Sequence, residues 1–78
     1  MDVIEILQKQ YETEYRYTKV GVLHPEEVGI DVHTCCWYAV QRCLGMAHMA
    51  QAMGAAFHEV EPLFEEIKKR LMELENRG

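Results

Sequence analysis

The chain has 78 residues, near the lower size at which one core offsets the conformational entropy of folding, so a single domain is expected, helped by disulfides, a metal or self-association. Eight Lys and Arg stand against thirteen Asp and Glu, and the net charge of -5 argues against nucleic acid and anionic lipid as partners. Three cysteines, two of them adjacent, and no charged-then-apolar opening segment argue against an oxidised secreted framework and for a reducing cytoplasm.

In chain order, Asp2 is placed to cap a first helix over about residues 2–14, with Val3, Ile4, Leu7 and Tyr11 on one side. From 15 to 30 the pattern loosens. Gly21, Pro25 and Gly29 punctuate it, and Tyr15, Tyr17, Val20 and Val22 also suit an extended strand, so the segment reads as a loop with a turn at Pro25-Glu26-Glu27, or as a short β-hairpin.

Asp31 is placed to cap a second helix over about 31–53, ended by Gly54. Two apolar stripes run along it, one of Cys36, Val40, Cys43, Ala47 and Ala50, the other of Cys35, Ala39, Met46, Met49 and Met53. So wide an apolar arc needs several neighbours, and part of its cover is expected from another copy of the chain. The interruptions Gln41, Arg42, His48 and Gln51 exclude a membrane span here.

A third helix, about 55–76, carries Phe57, Val60, Phe64, Ile67, Leu71 and Leu74 at the three-four spacing of a packing seam, with Pro62 on its outer side. In its basic run Lys68-Lys69-Arg70, Lys69 and Arg70 sit four residues after Glu65 and Glu66, as on a self-paired, solvated surface. The fold class is therefore all-α: a short first helix lying across an antiparallel α-helical hairpin, completed into a bundle by homo-oligomerisation. Gly45, Gly54 and the alanines around them would let the hairpin helices approach closely.

HTCCWYAVQRC, residues 33–43, is the one stretch dense in chemistry-bearing residues. His33, Cys36 and Cys43 share an arc, and Zn²⁺ accepts thiolate and imidazole. Cys36 and Cys43 are nevertheless two turns apart, about 10 Å along the axis, too far for one tetrahedral ion. The simpler expectation is cysteine as a small hydrophobe at a helix contact. The positive helix end would lower the thiol pKa of Cys35 and Cys36, yet no base and orienting group accompany them, so no catalysis and no cofactor are expected. Met46, Met49 and Met53 read as core packing before a copper or peptide stripe.

Trp37, Gln41, Leu44 and His48 share a mixed aromatic and polar face, a partner-binding candidate. Arg42 falls on the apolar side and needs a carboxylate, from Glu59 or Glu61 across the hairpin or from another subunit, or else holds an anionic ligand. Tyr11, Tyr15, Tyr17, Arg16 and Lys19 form an aromatic and basic cluster able to stack on a base and clamp a phosphate; the alternative is tyrosines packing on the hairpin with Glu12 paired to Arg16. Three functions are open: a homo-oligomeric protein-interaction factor, a regulator or inhibitor of the size phage and mobile elements encode; an oligomeric nucleotide-like ligand binder using Tyr11, Tyr15, Arg16, Lys19 and Arg42; and a metal or redox protein at His33, Cys36 and Cys43.

Overall fold

The structure, a computed structural model, describes residues 2–77. It is all-helical, with three long helices, α1 (Val3–Leu23), α3 (Val32–Ala52) and α4 (Phe57–Arg77), and a four-residue turn, α2 (Pro25–Val28). None of these helices is long and apolar enough to cross a membrane.

Asp2 starts α1 as expected: its backbone is extended and its carboxylate accepts the Ile4 N–H at 3.0 Å. The helix does not stop near Glu14. It continues through residues 15–23, so neither the loop nor the β-hairpin expected there exists, and no strand occurs among the described residues. The reason is burial. Leu7, Tyr11, Thr18 and Gly21 are inside, a seam that only a continuous helix can present, and it outweighs the β-propensity of Tyr15, Tyr17, Val20 and Val22. Thr18 spends its hydroxyl on the Glu14 carbonyl at 2.8 Å. Proline then ends the helix: Pro25 has no N–H and pushes His24 out of the α region, to φ -131 and ψ 58.

Asp31 caps α3 with both oxygens, one accepting the Thr34 N–H at 2.8 Å and the other the Thr34 hydroxyl at 3.0 Å. At the far end Gly54 takes φ +104, a left-handed conformation that glycine adopts without penalty. Its N–H bonds the Gln51 carbonyl and that of Ala55 bonds the Ala50 carbonyl, both at 3.0 Å, which closes α3 in a Schellman turn and reverses the chain.

Four side-chain links set the packing. His33 at the start of α3 meets Glu75 near the end of α4, so these two form the antiparallel hairpin. Glu14 meets Arg42 and Tyr11 meets Cys43, which runs α1 antiparallel to α3; Glu12 meets Arg70, which runs it parallel to α4. The first helix thus lies along the hairpin as a third full member, not across it. The result is an up-down-up bundle of 39 × 19 × 14 Å.

The core is asymmetric in residue size. Cys36, Ala39, Cys43, Ala47 and Ala50 of α3 pack against Leu7 and Tyr11 of α1 and against Val60, Ile67, Leu71 and Leu74 of α4. Small side chains on α3 let the two larger-toothed helices close on it. Phe64 is only partly covered and Phe57 is exposed, so the expected seam of α4 is buried at four of its six positions. Gly45 does not serve the hairpin: a Cβ placed there would meet no atom within 4 Å.

Candidate functional site

The solvent side of α3 carries exposed apolar surface, as does the end of α1 at Tyr17, Val20 and Leu23. A middle line of Gln41, Gly45, His48 and Ala52 is exposed, flanked by Trp37 toward α4 and by Tyr38, Met49 and Met53 toward α1. Trp37 and Tyr38 are about half exposed, with ring centroids 5.4 Å apart at 56°. None of the thirteen acidic residues lies on α3, whose one formal charge is Arg42.

A groove opens on each flank. The larger, between α1 and the C-terminal half of α3, encloses about 520 Å³; Val3, Ile6 and Leu7 form one wall and Met46, Met49 and Met53 the other. Met49 is 65% and Met53 62% exposed, so the expectation that the methionines fill the core fails for these two. The cause is geometric. The wide apolar arc of α3 faces only two neighbours, and the stripe through Met49 and Met53 turns past the edge of α1.

The second groove, about 350 Å³, lies between α3 and α4. It gathers Trp37, Gln41 and Leu44, three of the four partner-binding candidates, with Phe64, Lys68 and Met72 of α4 opposite. The fourth, His48, is exposed further along α3 and does not line the groove. The contributions of Phe64 and Met72 escaped the sequence reading, which assigned Phe64 to the seam; half-cover of one seam position has no signature in spacing.

The ligand-binding candidates are not brought together as a cluster. Tyr11 is buried and its hydroxyl donates to the Cys43 carbonyl at 2.9 Å; burial pushes its ionisation well above the usual tyrosine range. Tyr15 lies under the Arg70 guanidinium, 4.1 Å from its ring centroid. That same Arg70 bonds Glu12 at 2.6 and 3.4 Å, so Glu12 takes Arg70 where Arg16 was expected, and Arg70 looks to α1 instead of back to Glu66. Arg16 and Lys19 are exposed.

Arg42 finds its carboxylate in α1, not in Glu59 or Glu61: its Nε donates to both oxygens of Glu14 at 2.8 and 3.1 Å. The Glu14 side chain is only 13% exposed, so the arginine neutralises a charge that would otherwise be stranded in the α1–α3 seam. A helix ending at Glu14 carries no register against α3, so this pairing has no signature in the sequence.

The metal candidates separate as well. Cys36 and Cys43 are buried, and desolvation pushes the thiols up to about 11 and about 12. For Cys36 burial therefore defeats the lowering expected from the helix end. His33 is exposed and bonded to Glu75, which raises its pKa. Among the described residues, three potential ligand atoms come within 4.8 Å of one another only at His24, Glu26 and Glu27, an exposed group around α2. No protein-family model matches the chain, and comparison with curated proteins and with solved structures returns no match.

Proposed function

We propose that the protein is a self-associating helical interaction factor, a regulator or inhibitor working by docking in a reducing cytoplasm, without catalysis. The observation that carries this reading is the solvent side of α3, where Trp37, Tyr38, Met49 and Met53 stand exposed on a helix free of carboxylates while both flanks open into grooves. Apolar surface of this extent marks an interaction site more often than a solvated face. The first partner is a second copy, because a chain of net charge -5 meets its own kind more easily on the face of α3, which has no acidic residue. Three unpaired thiols support the compartment.

The nucleotide-like ligand reading loses support at Arg42 and Tyr11, whose polar groups are already committed inside the chain. The metal or redox reading loses support at Cys36 and Cys43, whose thiols are held protonated by burial. Sedimentation velocity over about 1 to 200 μM, a range set by the modest affinity of small interfaces, tests the proposal. A mass rising from one chain to an integral multiple is expected. A single-chain mass throughout overturns it.

A further inference from the structure

Gly45 sits in the middle of α3, the position where glycine is least favourable to a helix apart from proline. Its own chain makes no use of the missing side chain: it has helical backbone, it is exposed, and a Cβ built on it would meet nothing within 4 Å. It lies at the centre of the solvent side of α3, a helix without carboxylates, between the aromatic pair Trp37 and Tyr38 and the methionines Met49 and Met53. A glycine that costs helix stability and touches nothing internally is explained by another backbone passing over it.

We infer that two copies of the chain pack α3 against α3 in antiparallel fashion, crossing at Gly45 on a twofold axis. This rests on the self-association proposed above and names its face and geometry. Under such an axis residues whose numbers sum to about 90 come opposite one another. The α1 flanks of the two helices meet each other, and so do the α4 flanks, so Tyr38 faces the partner's Ala52 and the partner's Met53, each contact occurring twice, while Trp37 lies along the α4-side rim of the contact at the level of the partner's Ala52. The Tyr38 ring meets the partner's Met53 thioether, a favourable pairing that parallel packing would replace by Tyr38 on Tyr38. Antiparallel α3 helices also oppose their dipoles.

The same operation closes the larger groove. Glu14 opposite Arg42, and Leu7 in the wall shared with Ala50, fix the register of α1 on α3, so the axis passes near Gln10 of α1. It carries the partner's Tyr17, 72% exposed in the single chain, toward Val3. The available strip is about 30 Å of helix by the 19 Å breadth of the molecule, on the order of 600 Å² per copy, which reaches the lower bound for specific dimers. At its centre the only charges are the Arg42–Glu14 pair, already neutralised.

The decisive experiment compares the wild-type chain with Gly45→Leu by sedimentation equilibrium, following Trp37 emission on dilution. Gly45→Leu has open space for its side chain and a better helix former, so its circular dichroism and monomer melting are expected to be retained. The expected result is a wild-type dimer whose Trp37 emission shifts to the red as it dissociates, and a dimer constant weakened at least about 100-fold in Gly45→Leu. A wild-type chain that stays single overturns both this inference and the proposed function. A dimer untouched by Gly45→Leu, one whose Trp37 emission ignores dissociation, or an assembly of more than two copies overturns the α3 interface alone and leaves self-association standing.

Discussion

Tyr11 separates a structural from a ligand-binding reading by a single atom. Tyr11→Phe removes only the hydroxyl that donates to the Cys43 carbonyl at 2.9 Å, leaving a ring that is 4% exposed in place. The Cys43 carbonyl lies inside α3 and keeps its helical bond, so it is not orphaned, and the loss is the net worth of one buried hydrogen bond, about 1 kcal/mol. With roughly 2.1 cal/mol/K of unfolding entropy per residue over 78 residues, that is a fall of about 6 °C in Tm. Tyr11→Ala also empties the site between α1 and α3 and should cost about 3 to 5 kcal/mol. Urea and thermal unfolding followed at 222 nm, at one fixed protein concentration, read both values. If Tyr11→Phe melts within about 1 °C of wild type, the hydroxyl is as well served by water and the burial argument fails. If it costs as much as Tyr11→Ala, the hydroxyl has a task beyond this bond.

Alkaline pH should unfold the protein early. Burial raises the Cys36, Cys43 and Tyr11 ionisations, so their contribution is complete below the unfolded thiol value of about 8.5 and lost as pH rises toward the folded values; urea midpoints flat between pH 7 and 10 would refute this. His33 has the opposite charge type but the same sign of linkage. Its bond to Glu75 raises its pKa, giving stability present below about 6.5 and lost as pH rises through the folded value. Glu75→Gln should lower the His33 pKa in an NMR titration, and an unchanged value would show that the two ends of the hairpin are not joined there. Pro62 stands inside α4 and withholds the N–H that the His58 carbonyl would accept, so Pro62→Ala should stabilise the fold by about 1 to 3 kcal/mol in urea unfolding. A destabilised variant would mean that the ring itself packs.

The wide apolar arc of α3 was legible in spacing, and so were its Asp31 cap, the Gly54 stop and the seam of α4. These depend on contacts within a few residues, where helix periodicity and capping chemistry act directly. The length of α1 was not legible. Tyr15, Tyr17, Val20 and Val22 are individually good strand residues, and only packing of Thr18 and Gly21 against the hairpin makes the helix cheaper than an extended chain. A loop at residues 15–23 leaves only a short first helix across the hairpin and gives Arg42 no register against Glu14.

The candidate site was read in halves. Trp37, Gln41 and Leu44 do share a groove, because positions three and four apart on one helix stay together in any tertiary context. What lies across from them, Phe64, Lys68 and Met72, depends on the register of α4 against α3, which no local pattern specifies. The same holds for Met49 and Met53. By itself the sequence determined that α3 has more apolar surface than a small chain can cover, since hydrophobic periodicity is a property of the helix alone. Only the tertiary structure decided which part stays uncovered, because burial depends on where α1 and α4 end up, and two helices on one side of α3 leave Gly45 and its neighbours facing water.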